Sequence, residues 1–304
     1  MKDAPDHFGS TLFEDDAYRI IDCVACGFAH CLPIPEPEIM SELYANDYYA
    51  SVKPEYIKEV GADADWHRLT FRARIKRLES FVTGRRMLEI GSGPGLFLAE
   101  AKARGWKEQG YEVAAQAWNY STQVLGVNVI NGELPERTKE RYDAAYLGLV
   151  LEHIANPAAL LCRVCDALAP GGAICVAVPN DFSVLQQQVT AQCHTPSWWV
   201  TPPHHINYFS FKSLDHLLRN CGFIPVRQEG TFPLELCCLL GLDYITEPAL
   251  GKKAHALRKS VEFALVSCGL GDALHDVYAT LALHGLGREC VIYAIKKRKN
   301  NIDC

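Results

Sequence analysis

Met87-Leu88-Glu89-Ile90-Gly91-Ser92-Gly93-Pro94-Gly95 is the stretch that decides the fold. A short apolar run takes in an acidic residue and then breaks into glycines at every second position, and a helix-forming segment, Leu96 to Arg104, follows at once. The order is strand, tight turn, helix. Glycine has no Cβ, so the backbone of such a turn can come close to a ligand. The start of the helix adds oriented N–H groups. Together these features predict a nucleotide-like cofactor site at the carboxyl end of the first strand of an open α/β sheet.

The spacing is G-x-G-x-G, whereas a dinucleotide fingerprint reads G-x-G-x-x-G and cradles a pyrophosphate. An NAD-dependent oxidoreductase therefore fits poorly. With Glu89 two residues before the first glycine, the stretch resembles motif I of the class I S-adenosylmethionine-dependent methyltransferases. The resemblance implies that Glu89, Gly91, Ser92, Gly93 and Gly95 border the cofactor, with the acidic residue near its methionine end.

The rest of the chain agrees in order. A strand-like run closes at Gly110-Tyr111-Glu112, roughly 20 residues past the loop, where nucleotide folds place a ribose-binding carboxylate. The β-branched strand Val127 to Ile130 ends at Asn131-Gly132-Glu133-Leu134, where the family usually has a polar residue at the adenine. A fourth strand, Tyr142 to Val150, runs into Leu151-Glu152-His153-Ile154, similar to the family's "LEH" stretch. Gly132, Glu133, Leu134 and Leu149 thus join Glu112 as cofactor candidates. A helix over Pro157 to Leu168 stops at Pro170-Gly171-Gly172. The buried strand Ala173 to Val178, the helix Phe211 to Asn220, the strand Ile224 to Glu229 and a last strand, Cys290 to Ile295, follow. Strands alternating with helices at short spacing predict a doubly wound, mostly parallel sheet. Seven strands with an antiparallel last one is what the family implies.

Four segments are expected: a degenerate zinc-ribbon-like piece (1–37), a helical lead-in or lid (38–84), a methyltransferase core (85–230 and 288–299), and a helical insertion (231–287). In the lead-in, Tyr44, Tyr48 and Tyr49 resemble a "Y…YY" lid stretch, which adds Tyr49 to the cofactor candidates. Leu234 to Leu242, Ala256 to Cys268 and Leu274 to Leu283 show helical apolar spacing. Long insertions are usually functional, and this one is expected to cap the substrate mouth or to form a homodimer surface.

Methyl transfer at a sulfonium needs the nucleophile close, aligned and dry. A hydroxyl nucleophile also needs a base, and histidine suits that near neutral pH. Pro202-Pro203-His204-His205-Ile206-Asn207-Tyr208-Phe209-Ser210 resembles the family's "HHxxxFS" stretch in the loop that faces the methyl group. His204 or His205 is the expected base or substrate ligand, and His153 is a second candidate. Asn180, Asn207 and the adjacent Trp198 and Trp199 are the expected substrate contacts, the tryptophans as an apolar wall. The expected reaction is methylation of a small molecule, at oxygen, with C- or N-methylation, or a non-catalytic cofactor-binding protein, as alternatives.

Composition narrows the partners. The chain has 304 residues, a net charge of −6 and 49% hydrophobic residues. No basic patch points to nucleic acid. The run Lys296-Lys297-Arg298-Lys299 reads as a solvated end. No stretch reaches membrane-spanning length, and the polar start, Met1 to Ser10, lacks a signal-peptide core, so the expected location is cytoplasmic.

Thirteen cysteines without a secretion signal read as small buried hydrophobes rather than a disulfide framework. Cys162 and Cys165 fall inside a predicted helix. Cys23-Val24-Ala25-Cys26-Gly27 differs, being a knuckle in a turn after the strand-like Tyr18 to Ile21. It resembles the second half of a small zinc ribbon that precedes the core in one branch of the family. The ribbon's earlier C-x-x-C is missing, and Ala4-Pro5-Asp6-His7 stands in its place. Structural zinc takes four Cys or His ligands. His7, Cys23 and Cys26 would supply three and Asp3, His30 or Cys31 the fourth, none of these at the ribbon's usual spacing, so the expectation is either an altered zinc site or a ribbon that has lost its metal.

Overall fold

The computed structural model describes residues 7–36, 39–40 and 56–298. Tyr44, Tyr48 and Tyr49 lie outside those residues, as do Asp3 and Lys299.

The short segment before the core folds as an antiparallel meander, β1 (Gly9–Glu14), β2 (Arg19–Cys23) and β3 (Phe28–Leu32). Two helices follow, α1 (Tyr56–Ala62) and α2 (Ala64–Glu79). The core then runs β4 (Arg86–Ile90), α3 (Leu96–Ala103), β5 (Lys107–Glu112), α4 (Ala115–Asn119), β6 (Val129–Asn131) and β7 (Tyr142–Gly148). It continues with α5 (Pro157–Ala167), β8 (Leu168–Pro179), α6 (Val184–Cys193), β9 (Asn207–Tyr208), α7 (Phe211–Asn220) and β10 (Phe223–Gly230). The insertion contributes α8 (Glu235–Leu239), α9 (Ala249–Ser267) and α10 (Gly271–Leu283) before β11 (Glu289–Lys296).

Seven strands form one sheet in the order β10-β11-β8-β7-β4-β5-β6, with β11 antiparallel to both of its neighbours. This is the doubly wound, mostly parallel sheet of the sequence expectation. Strand order reverses beside β4, so the crevice at its carboxyl end is the topological switch point.

Period-two alternation feeds both faces of the sheet. On β4, Leu88 and Ile90 pack on one side with Leu161, Val164 and Leu214, while Met87 packs on the other with Ile75, Leu78 and Phe97. On β8, Ile174, Val176 and Val178 go with the first cluster and Ala173, Cys175 and Ala177 with the second. A strand buried on both faces reads as a continuous apolar run, and that is why it was visible in the sequence.

Three points differ from expectation. Pro170-Gly171-Gly172 does not stop a helix. α5 has already ended, and the glycines make a bulge near the start of β8, where Gly171 has φ +78° and the pairing to β7 shifts register. A helix absent from the expectation, α6, fills part of the segment between β8 and the histidine loop. Finally, the small N-terminal sheet is four-stranded, because β9 adds to β3 through Ala29↔Tyr208 and His30↔Asn207. Among the described residues no helix is long and apolar enough to cross a membrane.

Candidate functional site

The glycine loop leaves β4 with all three glycines at positive φ: Gly91 at +65°, Gly93 at +51° and Gly95 at +84°. A Cβ at Gly91 would lie 2.7 Å from Val150 Cγ2, and one at Gly95 would lie 2.8 Å from Ser121 Cβ. Both conformation and space demand glycine here. Glu112, at the end of β5, braces the loop: its carboxylate accepts the N–H of Gly93 at 2.7 Å and that of Ala114 at 2.8 Å.

Glu89 is 4% exposed and its Oε2 has no hydrogen-bond partner, and the buried Ser92 Oγ has none either. Burial, with the charge of Glu112 added, holds the Glu89 carboxyl well above the usual carboxylate range. An orphaned buried carboxylate beside a glycine cradle is a site built for a donor-bearing, cationic ligand end. The residues present therefore fit S-adenosylmethionine.

A cavity of about 1130 Å³ opens from this loop, large for a single ligand pocket and roomy enough for a cofactor and an acceptor together. Gly132, Glu133, Leu134 and Leu149 border it on the β6–β7 side. Leu149 has φ +58° and is half exposed, an uncommon conformation for a branched apolar residue and one that concentrates at functional sites.

Across the cavity stand His153, His204 and His205. His153 Nδ1 lies 2.7 Å from the carbonyl oxygen of His204, and its ring meets that of His205 edge-on at 4.9 Å. His153 Nε2 is 3.9 Å from Glu152 Oε1. Ligand atoms of Glu152, His153 and His205 all lie within 4.8 Å of one another. Trp198 and Trp199 form a T-shaped pair on the cavity wall, and neither indole N–H has a hydrogen-bond partner.

Asn180 and Asn207 do not reach this space, because other groups hold their amides. Asn180 donates to the carbonyls of Gly285 and Gly287 and accepts from the Cys290 thiol. Asn207 donates to the carbonyls of Leu151 and Ile154.

Several cavity residues are not among the sequence candidates. Glu152 and Asp181 are buried, with Glu152 Oε2 and Asp181 Oδ2 lacking partners. Burial raises both carboxyls, Glu152 well above its ordinary range and Asp181 to about 7. Arg258, His275 and Tyr278 reach the cavity from α9 and α10. Tyr278 hydrogen-bonds Glu262 at 2.5 Å, and Glu262 also accepts from Trp66 of α2. Membership of the "LEH" stretch for Glu152, and adjacency to Asn180 for Asp181, are the available signals for the two acids. Nothing local marks the residues of the insertion.

At the knuckle, His7 Nδ1 lies 3.7 Å from Cys23 Sγ and 3.5 Å from Cys26 Sγ. The residue that completes the group is His30. Cys31 points away, its thiol 3.6 Å from the Pro33 carbonyl, since strand neighbours alternate faces.

Residues 64–228 match the family model described as "Methyltransferase domain". No curated protein matches the chain. Among solved structures, the plantazolicin methyltransferase BpumL, determined with S-adenosylhomocysteine, is 13% identical over 85% of this chain and 94% of its own, with a TM-score of 0.50. A SAM-dependent methyltransferase from Archaeoglobus fulgidus is 20% identical over 75% of this chain and 94% of its own, with a TM-score of 0.49. Phosphoethanolamine N-methyltransferase 2 of Haemonchus contortus is 18% identical over 76% of this chain and 52% of its own, with a TM-score of 0.48.

Proposed function

Because the chain belongs to the methyltransferase-domain family, we propose that it transfers the methyl group of S-adenosylmethionine to a hydroxyl of a small molecule, with His153 as the base and His205 beside it. The contact between His153 Nδ1 and the His204 carbonyl carries this reading. A carbonyl only accepts, so the ring proton sits on Nδ1 and the neutral imidazole keeps its lone pair on Nε2. That is the tautomer a base requires.

S-adenosylmethionine supplies an electrophilic methyl group on a sulfonium with a neutral leaving group. The chain supplies position and a proton acceptor. Glu89 and Ser92 face the methionine end, Glu112 takes the ribose hydroxyls, and Gly132, Glu133 and Leu134 border the adenine. Leu149, Trp198 and Trp199 keep water from the acceptor side. The acceptor oxygen bonds to the methyl carbon as the carbon–sulfur bond breaks, and its proton passes to His153 Nε2. His204 fixes the tautomer through its backbone, and His205 packs against the ring that becomes cationic.

A second reading rests on Glu152 Oε2 and Asp181 Oδ2, two buried, partnerless carboxylate oxygens on the same cavity. They favour an amine acceptor, whose N–H groups would satisfy them. Assembly belongs to the same proposal: the exposed apolar residues Leu257, Val261, Phe263 and Val277 of the insertion support a homodimer there.

His153→Ala tests the chemistry against panels of hydroxylated and amino acceptors. The variant is expected to lose about 10²–10⁴-fold in kcat on the hydroxyl substrate and to bind S-adenosylhomocysteine as the parent does. Turnover of an amine at an unchanged rate in that variant would replace the first reading with the second.

A further inference from the structure

We infer that His7, Cys23, Cys26 and His30 bind one zinc ion, and that this centre positions the histidine loop of the active site through the β3–β9 pairing. Each half rests on separate geometry.

The donor atoms of the four residues all lie within 4.8 Å of one another. Tetrahedral zinc with Zn–S of about 2.3 Å and Zn–N of about 2.0–2.1 Å places a sulfur and a nitrogen ligand about 3.6 Å apart. The two sulfur–nitrogen separations seen here, 3.7 and 3.5 Å, bracket that value. His7 lies just before β1, Cys23 ends β2 and Cys26 sits in the turn after it, with Gly27 at φ +75° closing the knuckle.

His30 is the fourth ligand by its own chemistry. It is 2% exposed, its Nδ1 lies 3.0 Å from the Cys31 carbonyl, and its Nε2 is buried without a partner. The carbonyl accepts, so Nδ1 carries the proton and the Nε2 lone pair points into the cluster. A backbone carbonyl on the distal ring nitrogen is how metal-bound histidines are commonly oriented. Without an ion, a buried imidazole nitrogen is left unsatisfied beside two thiols.

The same histidine begins the path to the active site. His30 pairs with Asn207 in the sheet, and the Cys31 N–H donates to the Ile206 carbonyl at 2.9 Å. Asn207 donates to Leu151 O and Ile154 O, which flank Glu152 and His153, and the Ile206 N–H donates to the Glu152 carbonyl. Metal, β3, β9 and the His153 turn therefore form one hydrogen-bonded path. His30 is a positioning residue for that turn, and the metal fixes its ring.

The test uses the full chain, isolated without metal-affinity steps. Elemental analysis is expected to give roughly one zinc per chain, and cobalt(II) exchange the visible bands of a tetrahedral thiolate site. Cys23→Ser and His30→Ala are expected to weaken zinc binding by more than about 10²-fold. Cys31→Ser should keep the metal, and His30→Cys should restore it with stronger thiolate–cobalt absorption, which a packing role for His30 would not produce. Amide exchange reads the second half: on zinc removal, residues 151–154 and 205–208 should exchange at least about tenfold faster while β4 and β8 hold. Parent protein without zinc, or full zinc in His30→Ala, overturns the metal site. Unchanged exchange at 151–154 in zinc-free protein overturns the positioning, whatever the reaction proves to be.

Discussion

The carboxylate of Glu112 accepts the N–H of Gly93 at 2.7 Å, so the end of β5 holds the middle of the glycine loop that leaves β4. One side chain therefore shapes the loop and presents its remaining lone pairs to the cavity.

Glu112→Ala removes both functions. Hydrogen bonds to a charged group are worth about 1.5–3 kcal/mol each, so S-adenosylhomocysteine should bind about 10- to 100-fold more weakly by calorimetric titration. His205→Ala, on the far wall, should leave that affinity within about twofold. Equal losses in the two variants would remove the division between cofactor and acceptor sides.

The central sheet and the glycine loop are legible in the sequence because each signal is local. Glycine adopts the loop's left-handed dihedrals at least cost, and a strand buried on both faces must be a continuous apolar run, as at Ala173 to Val178. α6 carries a local signal too: Ser183 and Gln186 form a capping box at its start, an S-x-x-Q signature present in the sequence. The acceptor side was less legible. Asn180 and Asn207 look like substrate contacts by position along the chain, and only the fold shows that backbone carbonyls take their amides. The pairing of His30 with Asn207 joins residues far apart in sequence, and no local pattern encodes it.

Gly95 and Gly105 share a φ of +84° but differ in surroundings, and this separates strain from crowding. A Cβ on Gly95 would meet Ser121 Cβ at 2.8 Å and Val127 Cγ2 at 2.9 Å, whereas one on Gly105 meets nothing within 4 Å. Gly105→Ala should cost only the left-handed penalty, about 1–2 kcal/mol. Gly95→Ala adds overpacking of about 1–3 kcal/mol and should melt lower than Gly105→Ala. Equal melting temperatures would mean that the loop relaxes freely.

Asp181 gives the protein a pH signature. Burial raises its carboxyl from 3.8 to about 7. Between those values the folded state holds a proton that the unfolded state has released, so this group's contribution to stability falls as pH rises through the window. The loss amounts to about 4 kcal/mol in all, at about 1.4 kcal/mol per pH unit. Asp181→Asn keeps a neutral amide in place and should gain on the parent from pH 4 to pH 8, read as the difference in denaturation midpoints. Parallel midpoint curves for the two proteins would show that Asp181 ionises without cost.

Asn180 and Trp198 make the sharpest contrast between fold and acceptor binding. Asn180 is 2% exposed and ties the end of β8 to the segment before β11 through Gly285 O and Gly287 O. Asn180→Ala leaves the buried Gly287 carbonyl unpaired, at about 1–3 kcal/mol, and frees the half-buried Gly285 carbonyl at less, and should lower the denaturation midpoint with little change in the acceptor KM. Trp198 lines the cavity, and its indole N–H is unpaired. Trp198→Ala should raise the acceptor KM by about tenfold or more, since a buried aromatic contact and a hydrogen-bond donor go together, while S-adenosylhomocysteine affinity holds. If instead Asn180→Ala raised KM at unchanged stability, the cavity would have to extend behind β8, and the acceptor would sit deeper than the tryptophan wall.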